Sequence, residues 1–506
     1  MSAPGITWFA GHEIRLAWRE MLGMLTAGKR WRTRSASIVL VLFVLFLHLP
    51  AYAVVGRFAD LQAPLDQSTL IVMTASLFLA WALMLSQAIE SVTRVFYSRS
   101  DLDLIMSSPV ALTNVFSVRI AAIAVTVVVM AMLLATPFID ILVISGGPRW
   151  LAAYGVVIAI GLSASAVAIA VTVGLFHLCG PAKTRAVAQI ISAITGAGFV
   201  IALQVAAILS YGTLSRFAVL TSDAAAAFAP GLDSFVWWPA HAMLGDAGAL
   251  LPLIGGAALL LGVTMALFSP RFSDYVANVS PKNAVQVAGR SRAFRPASRP
   301  GALRRKEFLL LWRDPWLMSQ TLMQLLYLLP PALMMWRSFG EGAGAFIVLA
   351  PVIVMASGQL AGGLAWLTIS GEDAADLVAT APLPASKVTA AKIEVVLIII
   401  ALVLAPLIAG LAFVSLTLAA TTALAAIVSA GSATSIQLWF RVQARRSQFR
   451  RRQTSSRIAT FAEAFASIGW AATAALAIVL PIGAAITALL TAGVMALTWK
   501  ISPART

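Results

Sequence analysis

The sequence predicts an all-α polytopic membrane protein. About twelve transmembrane helices form two six-helix pseudo-repeats, each opened by an amphipathic interfacial helix. Three observations predict this. Of 506 residues, 60% are hydrophobic and only 11% charged, against roughly 25% charged in soluble domains. With a mean hydropathy of +0.91, a soluble fold would lack the polar surface to cover its core. Apolar runs of about 20 residues, the length that crosses a bilayer, recur along the whole chain. Finally, two sequence marks appear twice, in the same order.

The first mark is His12-Glu13-Ile14-Arg15-Leu16-Ala17-Trp18-Arg19-Glu20. It returns as Lys306-Glu307-Phe308-Leu309-Leu310-Leu311-Trp312-Arg313-Asp314, an offset of 294. The second lies within residues 90–119, where Asp103-Leu104, Pro109, Val115 and Arg119-Ile120 stand. They return 273 residues later as Asp376-Leu377, Pro382, Val388 and Lys392-Ile393. Two marks in one order argue for an internal duplication. Each copy of the second mark follows one apolar span and precedes another. Proline ends a helix and pushes the residue before it toward extended geometry, so each loop reads as short helix, break, new helix.

Taken in order, residues 5–27 read as an amphipathic helix lying in the interface plane, with Arg15, Arg19 and Glu20 on its wet side. The basic knot Lys29, Arg30, Arg32 and Arg34 follows, and no cleavable signal is expected. Six spans are expected at 35–56, 68–90, 115–145, 150–178, 186–210 and 248–268. Six more are expected at 315–336, 345–370, 389–413, 416–440, 459–480 and 482–500, the last two joined at Pro481–Gly483. The modules are therefore 1–268 and 304–506, joined by a basic, Pro/Gly/Ser-rich linker at 269–303. Twelve spans put both termini on one side. That side receives 32 of the 36 Lys and Arg residues, and the other receives only Arg57, Arg149, Arg216 and Arg337. By the positive-inside rule the termini and both repeated loops face the cytoplasm. The net charge of +16 then orients the chain and touches anionic headgroups rather than nucleic acid. On the opposite side, 211–247 is too polar to span and too apolar for a free loop. It reads as an interfacial or re-entrant element, with Trp237 and Trp238 in the aromatic belt.

Few residues suggest chemistry. Gly23 to Arg30 approaches the phosphate-binding GxxxxGK[ST] pattern, but Arg30 replaces the hydroxyl that holds magnesium, and an amphipathic helix stands where a buried strand is needed. The chain therefore carries no recognisable nucleotide-hydrolysing domain. His177 and the single Cys179 do not make a metal site, and one cysteine excludes an intrachain disulfide. The ionisable residues near or within spans are His48, Glu90, Arg119, Asp140, His177, Glu394 and Glu463. His48 and Asp140 are the most interior. Gln189, Gln204, Gln320, Gln324, Gln359 and Gln437 either line a path or bond helices together. No HExxH and no Ser/His/Asp cluster occurs.

The interfacial N-terminal helix, the acidic helix-break-helix loop after span two and the outer segment before span six resemble the ABC-2 type (type V) exporter permeases. The loop RVFYSRSDLDLIMSSPV is similar to those of bacterial ABC-2 permeases that place two such modules in one chain. The resemblance covers the first half well. In the second it holds for 306–314 and 371–393 and weakens afterwards. It implies the transmembrane permease subunit of an exporter in the bacterial plasma (inner) membrane, powered by two separately encoded ATP-binding cassette subunits. ATP and Mg would sit on those partners, leaving this chain without cofactor, metal or catalytic residue. The coupling helices would be 100–109, carrying Asp101, Asp103, Leu104 and Pro109, and 373–382, carrying Asp373, Asp376, Leu377 and Pro382, with Glu372 just before it as a further coupling residue. The interfacial helices, with Glu13, Trp18 and Arg19 and with Glu307, Trp312 and Arg313, would brace them. One departure is plain: the second half has a bare turn at Pro481 where the first has 211–247.

Three alternatives stay open. One is an ATPase-associated membrane sensor or immunity component without bulk transport. Another is a membrane-embedded enzyme acting on lipid through His48, Asp140 or His177. A secondary carrier would need more buried acids than the chain supplies.

Overall fold

The computed structural model describes residues 47–61, 65–97, 112–212, 215–269, 298–312, 344–370, 382–440 and 457–502, with isolated positions at 11, 12, 15, 41, 45, 326, 329, 330, 333, 334, 378 and 380. The described residues contain helices and turns but no strand. Among them, nine helices are long and apolar enough to cross a membrane. The protein is thus an all-α, multi-pass membrane protein. Each of the nine falls on an expected span. The expected span 315–336 lies almost wholly outside the described residues, as do ten of the 22 residues of 35–56. The tenth long helix occupies the expected span 459–480. Glu463, Ser467 and Thr473 place polar groups along it.

The chain divides into two compact units, Met1–Leu203 with Ser215–Asn283, and Gln204–Leu214 with Ala284–Thr506. In the first unit the long helices are α1 (Gln67–Tyr97), α2 (Leu112–Gly146), α3 (Ala152–Cys179) and, as far as Leu203, α4 (Pro181–Tyr211). Short helices α5 (Arg216–Leu220), α6 (Asp223–Phe228) and α7 (Trp238–Met243) lead into α8 (Ala247–Phe268). Helix α3 is the axis, with two-thirds of its span buried. Its Val156, Ile160, Ala164, Ala168 and Val173 pack against Leu85 and Ile89 of α1, Phe116 and Val127 of α2 and Leu261 of α8. Helix α8 buries little of itself and shows Leu251 and Leu259 outward. In water such apolar surface would be a liability; in a bilayer it faces its own solvent.

The segment between α4 and α8 is folded, as its mixed composition requires. Ser222 caps α6 by accepting from Ala225 N at 3.1 Å, and Asp246 caps α8 by accepting from Gly248 N at 2.8 Å. Gln67 of α1 donates to Ala226 O at 3.2 Å. The two tryptophans expected in an aromatic belt differ in burial. Trp238 is exposed, but Trp237 is buried against Leu65, Leu70 and Ala240. Its indole N–H donates to Gly231 O at 2.9 Å, satisfying the one polar atom that burial would orphan. At the same end, Arg149 Nη2 and Trp150 Nε1 both donate to Ala59 O, at 3.0 and 3.2 Å.

The second unit contains α9 (Arg299–Trp312), α10 (Gly344–Ser370), α11 (Ala385–Val414), α12 (Leu416–Phe440), α13 (Arg457–Val479) and α14 (Pro481–Ile501). Here α10 is central, 72% buried over its span. It packs closely on α12 and α13 because Gly358 and Gly362 lie one turn apart on its contact face. A methyl group at Gly358 would strike Ser467 and Ser429, and one at Gly362 would strike the Glu463 carboxylate. Small residues at such seams let helix backbones approach in lipid. The connection between α13 and α14 is one residue, Leu480.

Candidate coupling site

Helix α9 starts at Arg299, ahead of the expected module boundary at 304, for a local reason. Pro300 sits in its first turn, where a missing N–H costs nothing, and Ser298 Oγ accepts from Gly301 N at 3.3 Å. The helix then turns Glu307 and Leu311 inward; both are buried, Glu307 completely. An acid in that position needs compensation. Lys392 supplies it, with Nζ 3.0 Å from each Glu307 carboxylate oxygen. Lys306 Nζ stands 3.3 Å from Glu307 Oε1. Lys392 also donates to Thr368 O of α10.

Lys392 therefore joins three elements, α9, α10 and its own α11. The loop between α10 and α11 is the second copy of the repeated mark, so this joint sits at its root. One helical turn away the charges reverse: Arg304 Nε of α9 lies 2.5 Å from Glu394 Oε2 of α11. The carboxylate beside it holds the Arg304 guanidinium's pKa above its ordinary value. This second pair is half-exposed and screened, so it contributes little energy. It does fix register, because a slide of α9 along α11 would bring like charges together.

Of the predicted site residues, Glu307 is at the centre of the joint. Trp312 is on the same helix, 74% exposed, and Pro382 is an exposed bend just before α11. Asp101, Asp103, Leu104 and Pro109 of the first loop lie outside the described residues, as do Glu372, Asp373, Asp376 and Leu377 of the second. So do Glu13, Trp18, Arg19 and Arg313. Of the first interfacial segment, Gly11, His12 and Arg15 are described and helical.

The 273-residue offset of the two marks sets Arg119 of α2 at the position that Lys392 holds in α11, and Arg119 is buried. No family model, curated protein or solved structure matches this chain. The internal register is therefore the comparison that bears on the site.

The other ionisable residues lie apart from this joint. His48 Nε2 lies 3.6 Å from Asp140 Oδ2, and Tyr154 donates to Asp140 Oδ1 at 2.6 Å. Neither Tyr154 nor this pairing was expected from the sequence. His177 is at the far end of α3 from Tyr154, so it does not join them. Glu463 is buried and accepts from Gln437 Nε2 at 2.5 Å, so this glutamine bonds helices together. Among the described residues no three His, Cys, Asp or Glu side chains converge as metal ligands.

Proposed function

We propose that this chain is the membrane-spanning permease subunit of an ATP-driven exporter of the ABC-2 type, worked by two separately encoded ATPase subunits. Residues 100–109 and 373–382 receive the ATPases on the cytoplasmic side of a bacterial plasma membrane, where both termini also lie. The observation that carries the reading is the Glu307–Lys392–Thr368 joint at the root of the second repeated loop. A loop that receives force must pass it to a span rather than absorb it by bending. Here the start of α11 is pinned to α9 and to the end of α10 by a buried ion pair. Displacement of the loop then moves three helices together. If each half behaves this way, closure of the ATPases on ATP rocks the two pseudo-repeats, as in alternating access.

The test is co-purification of an ATPase with the full chain, followed by charge reversal at Asp103 and Asp376. We expect the reversed variants to fold and to lose stimulation of the ATPase. Transport by the detergent-purified chain alone, with no ATPase bound, would overturn the reading. Flux in proteoliposomes separates an exporter from a sensor or immunity component, which would stimulate hydrolysis without moving solute.

A further inference from the structure

Helix α9 is arranged inside out. Its acid, Glu307, is buried, while Arg305, Phe308, Leu309 and Trp312 are exposed. Those four are spaced i, i+3, i+4 and i+7, and so form one stripe. At about 100° per residue the stripe lies on the side of the helix away from Glu307 and Leu311. Phe308 and Leu309 are 39% and 40% exposed and Trp312 74%. An aromatic stripe of this kind facing water is costly.

The depth of the helix says what covers it. Helix α9 packs on α10 and α11, beside Thr368 and Lys392. Helix α11 begins after Pro384 and is long and apolar enough to cross a membrane, so a bilayer around it would set its headgroups beside α9. Tryptophan concentrates at that level. Of the helix's cations, Arg304 pairs with Glu394 and Lys306 stands beside Glu307, while Arg305 shares the exposed stripe with the apolar side chains. Charge and apolarity on one face match an anionic leaflet.

We propose that the Arg305–Phe308–Leu309–Trp312 face of α9 binds anionic phospholipid, with Arg305 on the phosphate and the aromatic side chains among the glycerol and upper acyl groups. The opposite face of the same helix holds the Glu307–Lys392 joint. The lipid charge of the leaflet therefore bears directly on the element that transmits force. The inference rests on the interfacial placement used in the proposed function, but neither readout below involves ATP or an ATPase. Failure of one reading thus leaves the other standing.

The experiment uses the full chain in nanodiscs of phosphatidylcholine, with and without phosphatidylglycerol. In a Cys179→Ser background, Trp312→Cys carries an environment-sensitive fluorophore. Quenching by doxyl-labelled lipid and protection from aqueous iodide are expected. Quenching by iodide instead would overturn the lipid-facing assignment and point to a soluble protein on this face. Native mass spectrometry of the chain with Trp312 intact then counts retained phosphatidylglycerol. Arg305→Gln is expected to weaken retention about fivefold, the effect of one cation at an anionic surface, without altering phosphatidylcholine retention. Equal retention of phosphatidylglycerol by both proteins would overturn the headgroup contact.

Discussion

Lys392 Nζ stands 3.0 Å from both carboxylate oxygens of Glu307, and that carboxylate has no exposure to solvent. Eighty-five residues separate the two in sequence. The pair closes the base of the repeated loop, and its burial makes it sensitive to removal of either partner.

Lys392→Met leaves a buried carboxylate beside Lys306 alone. We expect a loss of about 3–5 kcal/mol, the usual result of breaking a buried pair from one side. Thermal unfolding in detergent measures it. The exchanged double variant Glu307→Lys with Lys392→Glu is expected to recover part of the loss. A single variant as stable as the parent would remove the joint from the mechanism.

The register of the duplication aligns Glu13 with Glu307 and Arg119 with Lys392, and we expect the first pair to meet as the second does. Glu13 is outside the described residues, so the prediction rests on the offsets of 294 and 273. Glu13→Lys should lower folded yield, and Glu13→Lys with Arg119→Glu should restore it. Equal yields from the single and double variants would show that the two halves solve this joint differently.

Asp66 accepts from Thr69 N at 3.1 Å and from the hydroxyls of Ser68 and Thr69 at the start of α1. These hydrogen bonds, the Ser68 hydroxyl first, hold its carboxyl down to about 2. A depressed folded-state value means the stabilisation is complete above the ordinary carboxylate range near 4 and is lost as pH falls from there toward 2. Asp66→Ala should cost about 1 kcal/mol at pH 7. The gap in melting temperature between parent and variant should narrow as the pH is lowered below 4.

Gly362→Ala forces a methyl group into the Glu463 carboxylate, whereas a methyl group at Gly431 would meet nothing within 4 Å. We expect the first change to cost about 1–3 kcal/mol, as overpacking does, and Gly431→Ala to be neutral. Equal effects at both positions would mean that α10 has room to retreat from α13.

His48→Ala and Asp140→Asn address the lipid-enzyme alternative. Since neither touches the joint, both are expected to retain ATPase stimulation. Loss of a lipid-modifying turnover in these variants, with ATPase stimulation absent from the parent, would favour the enzyme.

Hydropathy made the spans legible because a bilayer imposes one length and one polarity on each. Side-chain partnerships across helices were less so. Trp237 and Trp238 are neighbours of one type, and only the packing of Leu65, Leu70 and Ala240 decides that the first is buried and the second is not. His48 and Asp140 stood out singly, but their meeting depends on how two helices cross, and Tyr154 gave no signal. Glu307 on an amphipathic helix reads as a wet residue until Lys392 is known to lie beneath it. The spacing of Arg304 and Glu307 against Lys392 and Glu394 was the one available sign, an alternation of charge that two packed helices can answer.

Leu480 alone separates α13 from α14. A connection so short gives the insertion machinery no tether to park outside while the second helix emerges. The two helices pack as a hairpin, with Thr473 and Thr487 hydroxyls 3.0 Å apart and Thr491 seated over Gly469. A ribosome that stalls after Leu480 would release a chain whose α13 lacks its main neighbour, and quality-control proteases would see an unfinished product.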